Sequence, residues 1–358
     1  MRTILVTATE ESTGKTAVAL ALALLARERG LEVGYMKPKG TRLRSAVGKT
    51  RDEDPMLAKE LLGLEAAMHE LEPVVYSPTL VEEAIRGRED PDELRERVRE
   101  AFEAVSAGTD LVIVEGGGTL STGGVVDLTD ADVATLLDAE TLLLAGYREA
   151  RDVDDVLGAA GAVGEGLLGV LFNAVDEAAY GRVEGDVAGF LEGRGIPVLG
   201  VLPREPDLAG VTVAELADEL GAEVLTSGVP TDGTVERFSV GAMGPENALR
   251  YFRRTKEAAV ITGGDRSDVQ TAALEAPGVR ALVLTGGQRP SAAVLGNAEE
   301  KGVPVLLVSG DTLTTIERAE AVVQSGRTQE ESTVRRMVEL LEAHADVDAV
   351  LEAPDEAA

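Results

Sequence analysis

The sequence predicts an α/β protein: a doubly wound, mostly parallel sheet carrying a P-loop, followed by a smaller α/β domain. Three observations predict it. Short apolar, β-branched runs alternate with amphipathic stretches at strand-and-helix spacing, which implies right-handed crossovers. The run "DLVIVEGGG" (110–118) is apolar on both faces, as in a parallel strand covered by helices. The first strand passes through a glycine turn directly into an Ala/Leu-rich helix.

Taken in order, "RTILVTA" (2–8) is the first strand, and "AVALALALLA" (17–26) is the helix after the turn. That helix reads as buried. It is too short to span a bilayer, and no basic segment beyond Arg2 precedes it as in a signal peptide. "LEVGYMKPKG" (31–40) is a second strand ending at Lys37 and Pro38. After an acidic segment, "DPDELRERVREAFEAVSAG" (90–108) is a helix with an ordinary solvated face. The strand at 110–118, then "TLLLAGY", "GLLGVLFNAVD" and "IPVLGVLP", continue the alternation.

Around "TSGVPTDGT" (226–234) turn-forming residues break the pattern, so the domains are expected to span 1–225 and 235–345. Within the second, "AAVITGGDRSD" and "ALVLTGGQRPS" are self-similar: strand, Thr-Gly-Gly turn, Arg, helix, with Thr262 and Thr285 matching. "PVLLVSGDT" has the same shape. "ESTVRRMVELLEAHA" is the last helix, and 346–358 is expected to be a frayed, disordered tail.

At 358 residues two domains are the prior, and 44% hydrophobic content excludes a disordered chain. The formal charge of -30 argues against nucleic acid or an anionic membrane as partner. Acid is spread along the chain and only seven of the 34 basic residues are Lys, a pattern that suits a halophilic cytoplasm, where the Debye length is roughly 3 Å at 1 M salt. With no Cys, disulfides, thiolate metal sites and cysteine nucleophiles are excluded, and with them glutamine amidotransfer. His69 and His344 lie near no carboxylate or serine motif, so no Ser-His-Asp set is assembled, and five Phe with five Tyr are too few for a base-stacking surface.

The chemistry concentrates in "TATEESTGKT" (7–16). A phosphate loop requires Gly, four residues, then Gly-Lys-Ser/Thr between strand and helix; Gly14, Lys15 and Thr16 fit, while Thr9 stands where the first Gly belongs. Backbone N–H groups and the helix dipole attract phosphate oxygens there, Lys15 would neutralise the β and γ phosphates, and Thr16 would face Mg²⁺. The alternative is an ordinary βα turn. Glu115, followed by Gly116, Gly117 and Gly118, puts a carboxylate at the carboxyl edge of the sheet, where ligands of doubly wound folds bind. It reads as a metal contact or, on its own, a turn residue.

The loop resembles that of dethiobiotin synthetases, and "YMKPKGT", "VIVEGGG" and "LFNAVD" match later motifs of that family in order. It is more similar still to the dethiobiotin-synthetase-like N-terminal region of long phosphotransacetylases, whose end "IPVLGVLPREPDLAGVTVAELADELGAEVL" also resembles. "FSVGAMGPENALRYF" and "VITGGDRSDVQTAAL" are similar to the DRTGG domain that follows there, so the resemblance covers about 1–345. It implies nucleotide-phosphate contacts from Thr9, Glu10, Thr13, Gly14, Lys15 and Thr16, with Mg²⁺ faced by Thr16, Asp54 and Glu115, Asp52 competing with Asp54 for that register. Lys15 and Lys37 would be the reacting-side lysines. Asn173 would read the adenine edge, with a plain βα-turn role equally open. Ala8 replaces a Gly, and Glu10 stands where related dimeric ATPases carry a cross-subunit lysine, which argues against that dimer switch. The segment after "VEGGG" differs from a synthetase's, and the sequence given ends without an acetyltransferase domain, so acetyl transfer is not expected of it.

In the second domain the Thr-Gly-Gly turns suggest an anion site from Gly263, Gly264, Asp265, Arg266, Gly286, Gly287 and Arg289; the alternative is helix capping by Asp265, Ser267 or Asp268 with glycines chosen for tight turns. The resemblance implies a regulatory role for this domain. The expected function is ATP/Mg²⁺ binding with nucleotide sensing or slow hydrolysis, as a cytoplasmic protein that self-associates as a dimer. The alternatives are an ATP-dependent ligase of the synthetase type and a non-catalytic partner of a separate acetyltransferase chain.

Overall fold

The computed structural model describes residues 1–41, 43–46, 49–205, 208, 210–325 and 331–352, with backbone alone at 43–46, 49–51, 321 and 323–325. The chain forms two compact units. The first comprises residues 1–204 together with the C-terminal helices Glu331–His344 and Val347–Leu351.

Its sheet has six strands: β1 (Arg2–Ala8), β2 (Val33–Met36), β3 (Leu111–Glu115), β4 (Glu140–Ala145), β5 (Leu167–Val175) and β6 (Val198–Pro203). They lie in the order β6-β5-β4-β1-β3-β2, and every neighbouring pair is parallel. From β1 the chain crosses to β2 at one edge, returns to β3 beside β1, and then passes to β4 on the other side of β1. Loops leaving β1 and β3 therefore meet in the crevice at the carboxyl edge, the place doubly wound sheets use for ligands. β1 is buried from Thr3 to Ala8.

Helix α1 (Lys15–Glu28) is apolar nearly all round, with Thr16–Ala23, Leu25 and Ala26 buried. A surface helix has one apolar stripe; this one is buried more widely, because Glu331–His344 packs against it as well as the sheet.

That returning helix corrects the expected layout. Residues 331–345 belong to the first unit and not with 235–325. The segment expected to fray from 346 is instead held down to Glu352: the Asp346 amide donates to the Leu199 carbonyl (2.7 Å), Asp346 caps Val347–Leu351 through the Ala349 amide (3.0 Å), and Arg2 donates to the carbonyls of Val350 and Glu352 (both 2.6 Å). Residues 353–358 of the expected tail lie outside the described residues.

The second unit begins at residue 205, ahead of the expected break. Val211–Thr212 pairs antiparallel with Thr234–Val235, so the turn-rich stretch 226–234 is internal to it. Its sheet is β7 (Glu223–Val224), β8 (Arg237–Val240), β9 (Ala258–Gly263), β10 (Val279–Thr285) and β11 (Val305–Leu307), ordered β7-β11-β10-β9-β8 and parallel except at β7. Its two faces bury separate cores, one around Phe252, Val269 and Val294, the other around Leu216, Ile261 and Val283. The self-similar strands β9 and β10 lie side by side, with Gly263 opposite Thr285.

Docking of the C-terminal segment depends on Gly200. A Cβ there would lie 2.5 Å from the His344 carbonyl oxygen and 2.7 Å from the Ala345 Cα, both backbone atoms. Gly200→Ala should therefore destabilise the first unit by about 1–3 kcal/mol. Calorimetry should show its transition lowered by about 2–12 °C, at roughly 2–4 °C per kcal/mol, with the second unit's transition unmoved.

Candidate functional site

The loop between β1 and α1 turns through two left-handed residues, Ser12 (φ 57°) and Gly14 (φ 85°), and Lys15 opens the helix. No acidic side chain occupies the first turn of α1, which leaves its positive end unopposed locally. Asn173, near the end of β5, donates from Nδ2 to the Thr13 carbonyl at 2.8 Å. A Cβ on Gly14 would approach that same Nδ2 at 2.6 Å, so Gly14 is needed for the backbone conformation and for the brace. The structure thus gives Asn173 a loop-bracing contact that neither sequence-based role includes.

Thr9 donates its amide to the Leu144 carbonyl (3.0 Å), and Thr13 donates its hydroxyl to the Glu10 carbonyl (3.2 Å). The Glu10 carboxylate turns to the loop after β4 and accepts from Arg148 at 2.6 Å. That pair is exposed and contributes little to stability, but it neutralises an acid at the rim of the loop.

Below this rim five of the expected residues converge. Thr16 donates to Glu115 Oε1 at 2.7 Å. Lys37 Nζ lies 2.8 Å from Asp52 Oδ2, forms an ion pair with Asp54, and stands 3.5 Å from Glu115 Oε1. All five side chains are at most 4% exposed. Asp52 is the N-cap of α2 (Glu53–Leu62): its Oδ1 accepts from the Asp54 amide at 3.0 Å, and its Oδ2 also accepts from the Thr41 amide at 2.8 Å.

Tyr35 belongs to the cluster and was missed from the sequence. Its buried hydroxyl donates to Glu115 Oε2 at 2.6 Å. The signal was present in the strand period, since Tyr35 and Lys37 are two residues apart and share a face. Lys39 was also missed. Its buried ammonium donates to the Thr122 carbonyl (2.9 Å), to the Leu128 carbonyl and to Asp130 Oδ1 (2.8 Å), while Thr7 donates to Asp130 Oδ2 (2.5 Å). This second buried pair ties the 116–130 loop to β1 and explains two of the glycines after Glu115. A Cβ on Gly116 would meet Asp130 Oδ2 at 2.1 Å, and one on Gly117 would meet the Lys39 carbonyl oxygen at 2.6 Å.

Burial disfavours a charged Lys37, but Asp54, Glu115 and Asp52 outweigh it and hold the ammonium protonated more firmly than usual. Burial raises Glu115 from 4.5 to about 7, with Lys37 pulling it down and Asp54 pushing it up. Burial, then the Glu115 charge, raises the Tyr35 hydroxyl well above its ordinary value.

As donors for a cation, Thr16, Asp54 and Glu115 offer only hard oxygen atoms, which suit Mg²⁺. Among the described residues no three Asp, Glu, His or Cys side chains form a metal cage by themselves. Mg²⁺ is commonly held by one or two carboxylates with phosphate oxygens and water completing the shell.

The second unit does not form the expected anion nest. The Gly264, Gly286 and Gly287 amides donate to the carbonyls of Thr285 (3.1 Å), Gly310 (2.8 Å) and Val308 (3.0 Å), so these N–H groups are engaged within the protein. Arg289 is paired with Glu223 (2.5 Å), and Arg266 donates to the Met243 carbonyl (3.1 Å). The capping alternative fails as well, because the N-cap of helix Ser267–Leu274 is Arg266 and carries no side-chain cap. The glycines serve close packing: a Cβ on Gly264 would lie 1.9 Å from the Gln288 carbonyl oxygen. Gly263 ends β9, and a Cβ there would meet Asp265 Oδ1 at 2.5 Å.

A parallel sheet whose first strand leads through this loop into a helix, with a buried acid at the end of the adjacent strand, defines the P-loop class. Residues 2–212 match the family described as AAA domain (AAA_26), and the chain belongs to that family. Residues 215–322 match the DRTGG domain. The phosphate acetyltransferase of Pseudomonas putida is 25% identical over 97% of this chain and 51% of its own length; that of Deinococcus radiodurans is 26% identical over 89% and 46%. The chain thus spans about half the length of these curated relatives. The ATP-dependent dethiobiotin synthetase of Pseudomonas aeruginosa is 30% identical over 61% of this chain and 96% of its own length. Among solved structures, the signal recognition particle receptor FtsY of Elizabethkingia anophelis aligns over 56% of each chain with TM-score 0.37 and 17% identity, a likeness that carries no argument.

Glu115 generates a pH prediction. The folded protein holds its proton more tightly than the unfolded chain, whose value is near 4.5, so its stabilising contribution is complete below about 4.5 and is lost as pH rises through about 7. Glu115→Gln stays neutral throughout. In the presence of a chelator, the melting temperature of the wild type minus that of Glu115→Gln should fall between pH 5 and 8; a constant difference would contradict the assignment.

Proposed function

We propose that the first unit binds ATP with Mg²⁺ and uses nucleotide occupancy for sensing or slow hydrolysis, with the DRTGG unit as its regulatory partner. The observation that carries this reading is the 2.7 Å contact between Thr16, on the first turn of α1, and Glu115, at the end of β3, beside a helix start free of acidic residues in its first turn. The helix N-terminus and Lys15 would take the phosphates, and Asn173, Thr13, Glu10 and Thr9 would shape the loop around them. Thr16, Asp54 and Glu115 would hold Mg²⁺, whose chemistry is to neutralise phosphate charge and orient the oxygens. Lys37 would be the substrate-side cation. A cytoplasmic setting and self-association complete the proposal, and the evenly spread acidic composition suits a cytoplasm of high salt.

The ligase reading keeps one specific support, the 30% identity to a dethiobiotin synthetase covered over 96% of its length. Incubation with diaminopelargonic acid, bicarbonate and ATP separates the two, since a ligase must form a new product and a sensor forms none.

For the leading reading, MgATP at about 100 times its Kd should stabilise the first unit by about 2.7 kcal/mol. In concentrated KCl its transition should rise by about 5–11 °C. Lys15→Ala should lose most of that rise when each protein is compared with its own nucleotide-free melting temperature; an equal rise in both proteins, or none in the wild type, would refute it.

A further inference from the structure

We propose that Lys37 and the divalent cation compete for Asp54 and Glu115, so that metal binding releases the Lys37 ammonium toward the phosphates while Asp52 keeps it tethered. This deepens the reading of the first unit as an ATP/Mg²⁺ site and rests on it.

The geometry separates the two aspartates that the sequence left in competition. Asp52 is a fixed anchor: as the cap of α2 it accepts from two backbone amides, Asp54 and Thr41, and its Oδ2 also lies 2.8 Å from Lys37. Drawing it to a metal would uncap the helix. Asp54 is the second residue of that helix, two places after the cap. Its carboxylate pairs with the same ammonium.

Glu115 is the second acid that Lys37 and a cation would share. Its Oε2 is held by Tyr35, so the oxygen presented to a newcomer is Oε1, which already faces both Thr16 (2.7 Å) and Lys37 (3.5 Å). A cation held by Glu115 and Asp54 would therefore contend with the Lys37 ammonium for the oxygens it now faces. The 3.5 Å approach is beyond hydrogen-bond length, which makes it the contact Lys37 yields most readily.

Charge points the same way. One ammonium faces three buried carboxylates, Asp52, Asp54 and Glu115, leaving the cluster two negative charges in excess when all are ionised. A divalent cation removes that excess, whereas a second monovalent side chain would not. The consequence is an order of events. Lys37 becomes available to a phosphate or a substrate carboxylate only once the metal has taken over Asp54 and Glu115, and the 2.8 Å tether to Asp52 limits how far it travels.

The test uses Mg²⁺ alone as probe, on the full chain, with calorimetric titration and a lysine-selective ¹⁵N label. The seven lysines keep the Nζ spectrum simple, and Lys37→Arg, which retains the charge, assigns the resonance. Lys37→Met should bind Mg²⁺ about tenfold or more tightly than the wild type, the size expected when a competing charge a few ångström away is removed. In the wild type the Lys37 Nζ resonance should shift as Mg²⁺ saturates. Equal affinities, or an unmoved resonance at saturation, would overturn the proposal; should Lys37→Met not fold, the wild-type resonance decides alone. MgATP binding with a stationary Lys37 would remove only the release step, whereas a wild type that binds neither Mg²⁺ nor MgATP would remove the proposed function itself.

Discussion

An ammonium ion can be buried only where opposite charge and hydrogen bonds replace the water it gives up, and at Lys37 three carboxylates do so. Everything at the carboxyl edge of the first sheet is arranged around that requirement. Asp52 and Asp54 come from the start of α2, Glu115 from the end of β3, Thr16 from the first turn of α1 and Tyr35 from β2. Four secondary-structure elements are thereby pinned to one another by a group that none of them could bury alone.

The same logic repeats beside it with Lys39, Asp130 and Thr7, whose satisfied contacts secure the 116–130 loop. The two lysines of the "KPK" segment are thus divided in role. Lys39 is closed in by two carbonyls and a carboxylate and acts as a structural staple. Lys37 faces only carboxylates in its ion pairs and lies within reach of the Thr16 hydroxyl's partner, so it remains responsive to whatever charge enters the crevice. Leaving a buried charge unpaired is far costlier than never having buried it, which explains why such a cluster specifies its geometry closely.

Much of this was legible in the residues. The parallel sheet, the loop at Gly14-Lys15-Thr16 and the acid at Glu115 follow from strand period, glycine placement and helix-start chemistry, all of which act over a few neighbouring residues. Tyr35 was readable in principle, as the same-face neighbour of Lys37. Lys39 and Asp130 were not, because their meeting depends on how a loop more than ninety residues away returns to the strand. In the second unit the Thr-Gly-Gly turns carried a local signature that two readings fitted equally. The structure chose neither, because the glycine amides are consumed by adjacent turns and Arg289 is drawn to Glu223.

By itself the sequence determined the class of fold, the position of the phosphate loop and the residue types available to hold an anion and a cation, since each is set by local periodicity and backbone freedom. The tertiary structure alone decided that Asp52 caps while Asp54 faces the cluster, that Asn173 braces the loop, and that the C-terminal helices cover α1 in the first unit. Those outcomes depend on which distant segments share a buried volume, and burial is what turns a chemical possibility into an obligatory contact.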